Sequence, residues 1–275
     1  ASQGFSPVVR TLAAEHQIDP NTISGTGTGG RVTKADVLRT VREMESVPGR
    51  IEPMTAMRSR IAERMVESRR TSAHVHTVFD VDFSRVSELR VLHRSTYEEA
   101  GHKLSYLVFV AKAVVEALQE VPIVNASTDG SNIVYSADVN LAIAVALDWG
   151  LIAPVIRNAH TKSMAELSRS ISDLSNRARL KQLLPEEVVG GTFTVTNPGV
   201  FGSILGMPII NQPQLAILCM GAVEARPVVV NGEIVAQSRS YLTLAFDHRI
   251  IDGAVADRFM STVKERLENF EGSLL

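Results

Sequence analysis

The chain has 275 residues, 45% of them hydrophobic, and a formal net charge of -2 at pH 7. This length exceeds one typical domain and allows a sizeable core, while the balanced charge gives no reason to expect a nucleic acid or a membrane as partner. Cys219 is the only cysteine, and neither a signal-peptide pattern nor an apolar run of about 20 residues occurs, so we expect an intracellular protein without an internal disulfide.

Residues 5–41 show the pattern of a small helical domain. Ser6 and Pro7 are typical of a helix start, and the glycine-rich loop GTGTGG at 25–30 precedes a second helix that Thr33 opens. The loop has neither the lysine of a P-loop nor an apolar strand before it, which favours a tight turn with positive φ over a phosphate site. Two short helices bury little surface, so we expect this domain to be marginally stable by itself.

Residues 42–53 carry mixed charges, Pro48, Gly49 and Pro53, and we interpret them as a linker. Residues 54–275 then form a larger domain in which helices and strands intermix without regular alternation. This order predicts an α/β fold of the α+β type, with a mixed sheet covered by helices. The predicted helices are 54–70, 84–100, 104–121, 164–180 and 254–270. The predicted strands are 74–83, 133–135, 139–146, 152–155, 192–196, 215–220, a hairpin at 228–236 that turns at Asn231-Gly232, and 241–246.

The first predicted strand of the larger domain places His74, His76, Asp80 and Asp82 on one face. A His-x-His pair with two carboxylates could suggest a metal site, but a third protein ligand has no obvious source. We therefore predict no metal in this protein.

The stretch LTLAFDHRIIDG at 242–253 supplies the strongest candidate for a catalytic side chain. Its apolar residues predict a buried strand that carries His248 to the strand end, where a polar site can be exposed. A lone histidine after a strand is more often structural, and the spacing of His248 and Asp252 does not show that they touch. The interpretation of His248 as a catalytic base therefore depends on a second segment, TFTVTNPG at 192–199, where another predicted strand ends in Thr196.

Two segments of the small domain carry a resemblance to a known family. SPVVRTLAAEHQID at 6–19 and GTGTGGRVTKADVL at 25–38 resemble the peripheral subunit-binding domain of the acyltransferase component of 2-oxo acid dehydrogenase complexes. The resemblance implies docking to the 2-oxo acid decarboxylase and to dihydrolipoamide dehydrogenase, through basic side chains on acidic partner surfaces. The matching residues are Arg10 and Arg31, which without the resemblance would be read as solvated surface arginines.

The larger domain also resembles this family. DHRIIDG at 247–253 and the block from TNPG to PIINQPQ at 196–214 resemble the catalytic domain of dihydrolipoyl acyltransferases and, more distantly, chloramphenicol acetyltransferase. The resemblance implies acyl exchange between a dihydrolipoyl group and coenzyme A. An imidazole can take the proton of a thiol, whose pKa is about 8.5, and a hydroxyl can stabilise the oxyanion that forms on attack. These roles match His248 and Thr196, with Thr194 as the alternative hydroxyl.

Other positions receive supporting roles from the resemblance. Asp252 matches an acidic position that we expect to hold the shape of the site through an arginine, with Arg60 as a candidate. For Asp247 and Arg249, structural and catalytic roles stay open. The positions that match coenzyme A contacts in branched-chain relatives, with Thr196 shared, are Arg90, Ser105, Asp148, Asn197, Gly221 and Val223.

The resemblance further implies trimers, in which the histidine and the hydroxyl of one site come from different chains, assembled into a cubic or dodecahedral core. We find no Asp-Lys-Ala segment of a lipoyl domain, and expect lipoate on a domain upstream of Ala1 or on another protein. The expected location is a bacterial cytoplasm or a mitochondrial matrix.

The acyl group stays open, because the motifs favour succinyl but also occur in acetyl and branched-chain relatives. A scaffold without catalysis is disfavoured by the intact histidine and threonine, and a nucleic-acid binder by the balanced charge and the sparse aromatic residues.

Overall fold

The structure, a computed structural model, describes residues 5–45, 51–148, 150–272 and 274. Contacts between residues divide the chain into a small unit, 1–55, and a large unit, 56–275. Within the described ranges, no helix is long and apolar enough to cross a membrane.

The small unit contains two helices around a compact apolar core. Helix α1 (Pro7–Glu15) begins as the sequence predicts, because the Ser6 hydroxyl accepts a hydrogen bond from the amide of Val9. Helix α2 (Lys34–Glu45) continues into the segment predicted as a linker, since no helix breaker occurs before Pro48. The rest of the predicted linker up to residue 50 lies outside the described residues. The buried core residues are Val9, Ala13, Ile23, Val37 and Val41.

The glycine-rich loop of the small unit is a tight connection, as predicted. Gly29 and Gly30 have φ angles of 74° and 78°, the left-handed region that favours glycine. The loop is held by Asp36, a fully buried carboxylate in the first turn of α2. Thr26 and Thr33 each donate two hydrogen bonds to Asp36, from the amide and from the hydroxyl, at 2.7 to 3.0 Å. The backbone hydrogen bond from Thr26, followed by those from Thr33, lowers the pKa of Asp36 well below its usual range.

The large unit contains five helices and eleven strands among its described residues. The helices are α3 (Ala56–Thr71), α4 (Ser84–Glu99), α5 (Tyr106–Glu120), α6 (Met164–Arg179) and α7 (Gly253–Glu268). The strands are β1 (His74–Asp82), β2 (Ala126–Thr128), β3 (Ile133–Tyr135), β4 (Leu141–Ile143), β5 (Val145–Leu147), β6 (Gly150–Ile152), β7 (Val155–Ile156), β8 (Phe193–Thr196), β9 (Ala216–Met220), β10 (Glu224–Val230) and β11 (Glu233–Asp247).

The main sheet has the strand order β1-β11-β9-β8-β4-β7, and β10 pairs with the first half of β11. Strand β8 runs parallel to β4 and β9, whereas the other pairs are antiparallel. Strands β2 and β3 form a separate hairpin, and so do β5 and β6. The predicted mixed sheet is therefore confirmed.

The strand predictions differ from the structure at four places. The predicted strand 152–155 is wrong, because β6 ends at Ile152, β7 begins at Val155, and Ala153 and Pro154 belong to neither. The hairpin turns at Asn231 and Gly232, both with positive φ, but its second strand continues without a break to Asp247, so that two predicted strands are one. The predicted strand 139–146 divides at Ala144, because β5 leaves the main sheet to pair with β6. Strand β2 was not predicted, since three residues give too short a pattern.

The two faces of the main sheet pack against different groups of buried residues. Side chains alternate along a strand, so Leu244 and Phe246 of β11 face the main apolar core, whereas Thr243 and Ala245 face the other side. On that other side, Ile210 of the loop before β9 packs against Ala245. Both histidines of the His-x-His pair hold this loop, since His74 Nε2 accepts from the Ile210 amide at 3.0 Å and His76 Nε2 lies 3.1 Å from the Pro208 carbonyl oxygen.

Candidate active site

Strand β11 delivers His248 to the surface, as the sequence predicts. The strand ends at Asp247, and His248 lies in the following turn with an exposed side chain. The His248 amide donates to the carbonyl of Ala73 at 2.9 Å, which ties the turn to the connection between α3 and β1. Its imidazole lies 5.7 Å from the ring of Phe246, measured between ring centroids. The backbone is therefore fixed while the imidazole is accessible.

Asp247 and Arg249 form a pair beneath the turn that carries His248. Arg249 contacts the buried Asp247 carboxylate through Nε at 2.9 Å and Nη2 at 2.6 Å, and the Ala73 amide donates to it at 3.2 Å. Burial would raise the pKa of Asp247, but hydrogen bonds from Arg249, Ser72 and the backbone bring it below its ordinary value. The ionised Asp247 thus acts on local structure and is not exposed to a substrate.

Asp252 lies at the start of α7. Its carboxylate accepts a hydrogen bond from the amide of Val255 at 2.8 Å and so caps the helix. Arg60 is exposed on α3, and among the described residues of one chain no arginine pairs with Asp252. Within the single chain, Asp252 supports the shape of the segment through the helix cap and not through the expected arginine.

Thr196 and Thr194 occupy very different environments on β8. The hydroxyl of the buried Thr194 donates to Gln214 Oε1 at 2.6 Å, and the Gln214 amide donates to the Gly191 carbonyl at 3.0 Å. Thr196 is the last residue of β8, is partly exposed, and has no hydroxyl partner among the described residues. Of these two threonines, Thr196 is therefore the one whose hydroxyl a substrate could reach.

Three of the predicted coenzyme A contacts adjoin Thr196. Asn197 follows it directly, and its Oδ1 atom is buried without a hydrogen-bond partner in the described part of the chain. Gly221 follows the end of β9, and the loop after Asn197 packs so closely there that a Cβ atom on Gly199 would lie 2.4 Å from the backbone of Gly221. Val223 is partly buried against the main core just beyond.

Two further predicted contacts meet at the start of α5. Arg90 on α4 donates through Nε to the Leu104 carbonyl at 3.1 Å, and its guanidinium lies 4.9 Å from the Tyr106 ring centroid. Ser105 is the N-cap residue of α5, yet its side chain makes no capping hydrogen bond. Asp148, the remaining predicted contact, is exposed directly after β5, at the turn of the β5–β6 hairpin.

The pairing of the strands places His248 and Thr196 at opposite ends of the sheet. Thr196 pairs with Cys219, which pairs with Thr243, and His248 lies five residues beyond Thr243. With strands about 4.8 Å apart and a rise of about 3.4 Å per residue, the two residues are roughly 20 Å apart. Groups that act on one thioester must each lie about 3 Å from it, so one chain alone does not form the predicted site.

The side chains that position this region were not predicted from the sequence. Gln212 donates to the Ser72 hydroxyl at 2.7 Å, Ser72 bonds in turn to Asp247, and Gln214 holds Thr194. The motif PIINQPQ contains both glutamines, but nothing in it shows which distant side chains they meet.

A cavity of about 570 Å³ lies beside α3 and the loop that precedes β9. Arg64, Glu67, Gln212 and Gln214 contribute polar groups to its wall. None of the residues assigned above to catalysis or to coenzyme A lines it. The predicted site is therefore not this cavity of the single chain.

The fold and these residues define a class of enzyme. Residues 48–275 match the family described as 2-oxoacid dehydrogenases acyltransferase (catalytic domain), and residues 5–38 match the e3 binding domain. The first match covers well over half of the chain. The chain belongs to the 2-oxoacid dehydrogenase acyltransferase family and is an acyltransferase, which confirms the resemblance found in the sequence.

Two of the similar proteins are named as succinyltransferase components. The chain is 41% identical to the dihydrolipoyllysine-residue succinyltransferase component of the 2-oxoglutarate dehydrogenase complex of Pseudomonas aeruginosa, over 96% of this chain and 71% of the relative. It is 40% identical to the component of the same name from Escherichia coli strain K12, over 98% of this chain and 71% of the relative.

Solved structures confirm the predicted fold class. A probable dihydrolipoamide acetyltransferase of Listeria monocytogenes matches with a TM-score of 0.80 and 35% identity, over 84% of this chain and 100% of that one. The dihydrolipoamide acetyltransferase of Azotobacter vinelandii matches with a TM-score of 0.78 and 31% identity, over 82% and 94%. That enzyme was studied for the role of a serine, a histidine and an asparagine in its mechanism.

Proposed function

We propose that the large unit transfers an acyl group between a dihydrolipoyl group and coenzyme A, with His248 as general base and Thr196 as oxyanion donor. One observation carries the assignment of the residues. In the Azotobacter vinelandii enzyme, the serine precedes the histidine by 52 residues and the asparagine follows it by four. Thr196, His248 and Asp252 have the same two spacings, with a hydroxyl again in the first position.

The proposed reaction needs no covalent intermediate with the protein. The imidazole of His248 takes the proton from the coenzyme A thiol as its sulfur attacks the acyl carbonyl of acyl-dihydrolipoyl. The hydroxyl of Thr196 donates a hydrogen bond to the tetrahedral oxyanion. When the oxyanion collapses, the bond to the dihydrolipoyl sulfur breaks, and that sulfur takes the proton back from His248. Cys219 is not required, and burial raises the pKa of its thiol to about 11.

We infer that two copies of the chain form each site, the histidine from one and the threonine from the other. The separation of roughly 20 Å within one chain supports this inference. So does the loop that follows Thr196, where Val200 and Phe201 are 70% and 76% exposed in the single chain. A contact in which different surfaces of identical chains meet can close into a ring, and the expected trimer is such a ring.

Co-expression of two inactive variants tests the shared site. His248→Ala and Thr196→Ala chains each lack one group, so neither forms a complete site alone. In randomly mixed assemblies, about a quarter of the interfaces would combine an intact histidine with an intact threonine, and we expect that share of the activity to return. Activity no higher than that of the separate variants would show that each site lies within one chain.

The exposed apolar loop can be tested separately. We expect Phe201→Asp to dissociate the assembly, measured by light scattering, and to lower activity with it, because a carboxylate would be buried at the interface. Ile234→Asp is the matched control, since Ile234 is 78% exposed on the hairpin and carries no interface role in this proposal. An intact assembly in the Phe201 variant would remove the loop from the interface.

We propose succinyl as the acyl group, because the relatives from Pseudomonas aeruginosa and Escherichia coli are named as succinyltransferases. The solved structures include acetyltransferases at 31% to 35% identity, so acetyl is the alternative to test. A panel of succinyl-, acetyl- and isobutyryl-CoA, assayed for transfer to dihydrolipoamide, distinguishes them through kcat/KM. Preference for acetyl- or isobutyryl-CoA would overturn the succinyl assignment.

We propose further that residues 5–41 dock dihydrolipoamide dehydrogenase and the 2-oxo acid decarboxylase through Arg10 and Arg31. The match to an e3 binding domain supports this role. Both arginine side chains are exposed, Arg10 on α1 and Arg31 directly after the glycine-rich loop.

For coenzyme A we propose two groups of contacts, Arg90 with Ser105, and Asn197 with Gly221 and Val223. Arg90 bonds to the Leu104 carbonyl through Nε, and the Ser105 hydroxyl makes no capping hydrogen bond. The other guanidinium nitrogens and this hydroxyl can therefore bind a ligand, which supports the assignment. Asp148 stays a prediction, because nothing in the single chain places it near either group.

A further inference from the structure

Side chains of α6, a helix more than 60 residues later in the sequence, hydrogen-bond to the segment that carries Ser105. Ser168 and Ser172 lie one turn apart on α6 and face the connection between α4 and α5. The Ser168 hydroxyl donates to the Lys103 carbonyl at 2.9 Å, and the Lys103 amide donates to the Ser172 hydroxyl at 3.3 Å. Both backbone polar groups of Lys103 are thus held by α6, which fixes the connection more firmly than a loop held only at its ends.

A buried histidine completes this arrangement. His102 Nδ1 lies 2.9 Å from the Ser168 hydroxyl oxygen, and both side chains are buried. A serine hydroxyl has one proton, and Ser168 gives it to Lys103, so His102 must donate from Nδ1. Burial, with a smaller effect of the Arg169 charge, lowers the pKa of His102 and keeps the imidazole neutral. The ring is held from the side by Tyr97, edge-on at 5.0 Å between centroids.

The next residues along the chain connect this arrangement to the proposed coenzyme A contacts. Leu104 follows Lys103, and its carbonyl receives the Nε hydrogen bond of Arg90. Ser105 comes next, and the guanidinium of Arg90 lies over the ring of Tyr106. A shift of Lys103 would therefore move both Arg90 and Ser105.

We propose that His102 and Ser168 are positioning residues for coenzyme A. They do not touch the substrate; they fix the backbone at Lys103 so that Arg90 and Ser105 present their free polar atoms in one arrangement. This inference rests on the coenzyme A contacts proposed above. It differs from a general role in stability, because it predicts an effect on one substrate and not on the other.

Steady-state kinetics of the intact protein test the proposal. We expect Ser168→Ala to raise KM for coenzyme A about fivefold or more, since the loss of one buried hydrogen bond corresponds to a change of that size. The kcat value should stay within about twofold, and KM for acyl-dihydrolipoamide should not change. Ser170→Ala is the matched control. Ser170 lies on the same helix, and its hydroxyl donates to the Glu166 carbonyl one turn earlier in α6, not to Lys103.

Two variants of His102 add a rescue test. His102→Phe keeps an aromatic ring but removes the donor, and should raise KM for coenzyme A as Ser168→Ala does. His102→Asn restores an N–H near the position of Nδ1, and should return KM toward the wild-type value. Because KM does not depend on the fraction of active protein, partial misfolding of a variant does not mask the result. An unchanged KM for coenzyme A in both Ser168→Ala and His102→Phe would overturn the proposal.

Arg90→Ala separates this inference from the function on which it rests. If Arg90→Ala raises KM for coenzyme A and the His102 and Ser168 variants do not, the positioning role is wrong and the coenzyme A contact stands. If Arg90→Ala leaves KM unchanged, the proposed contact itself is wrong.

Discussion

The small and large units are stabilised by different kinds of interaction. The small unit has few buried apolar residues and depends on the ionised Asp36, which holds the glycine-rich loop against α2. The large unit depends on a continuous apolar core, in which side chains such as Phe193, Phe246 and Phe259 are fully buried. Apolar burial does not change with protonation, whereas a buried carboxylate contributes only while it is ionised. We therefore expect the two units to respond differently to pH and to single substitutions.

The largest effect is expected at His248, where activity and stability should separate. We expect His248→Ala to lower coenzyme A-dependent deacylation of acyl-dihydrolipoamide about 10²- to 10⁴-fold, the usual contribution of a general base. The midpoint of thermal unfolding should not change, because this side chain lies outside the core. His16→Ala is the control, since His16 is an exposed histidine of the small unit. Near-normal turnover of the His248 variant would remove it from the mechanism.

Thr196 should give the next largest loss. We expect Thr196→Ala to lower kcat about a hundredfold, with KM for coenzyme A within a few-fold of wild type, because the hydroxyl acts on the oxyanion and not on the bound substrate. Thr196→Ser keeps the hydroxyl and should retain most of the activity. Equal losses in the alanine and serine variants would mean that the methyl group, and not the hydroxyl, is what matters.

The Asp36→Asn substitution should affect only the small unit. An amide in place of the carboxylate brings N–H donors toward the donors of Thr26 and Thr33, so we expect faster amide hydrogen exchange at both residues. Acyltransferase activity on free dihydrolipoamide should be unchanged. Asp19→Asn, at an exposed aspartate that caps a short turn, is the control. Loss of acyltransferase activity in the Asp36 variant would show that the two units are not independent.

The same carboxylate predicts a response to acid. The pKa of Asp36 is depressed in the folded state, so its contribution is fully present above the ordinary aspartate pKa of about 3.9 and is lost as the pH falls toward the folded value. Below about pH 4, the protection factors of the Thr26 and Thr33 amides, which correct for the intrinsic pH dependence of exchange, should fall in the wild type but change less in Asp36→Asn. Equal acid sensitivity of the two proteins would assign it to another group.

The smallest effects are expected at the docking arginines. Arg10→Ala and Arg31→Ala should each weaken binding of dihydrolipoamide dehydrogenase, and the difference from wild type should shrink as salt rises, because charges at a surface are screened. Calorimetric titration at two salt concentrations measures this. Unchanged affinity at low salt in both variants would exclude these side chains from docking.

Local patterns predicted the elements of this protein better than its site. The helix predicted from the apolar run at 104–121 agrees with α5 to within two residues at each end. The turn at Asn231-Gly232 was predicted correctly because these two residues favour positive φ. The continuity of β11 was missed because its polar middle part gives no strand signal, although pairing with β1 and β10 maintains it. The motifs selected Thr196 and His248, but their placement at opposite ends of the sheet follows from strand register, which no local pattern contains.

Strand β11 also has a consequence for how the large unit forms during synthesis. It lies between β1 and β9 in the sheet, yet among the described residues it is the last strand in chain order. Its partner β1 was made more than 150 residues earlier, so their pairing has a high contact order and waits until residue 247 has left the ribosome. Until then β1 and β9 lack the strand that joins them, and the main sheet is incomplete. The residue proposed as the base is therefore positioned in the same event that closes the sheet.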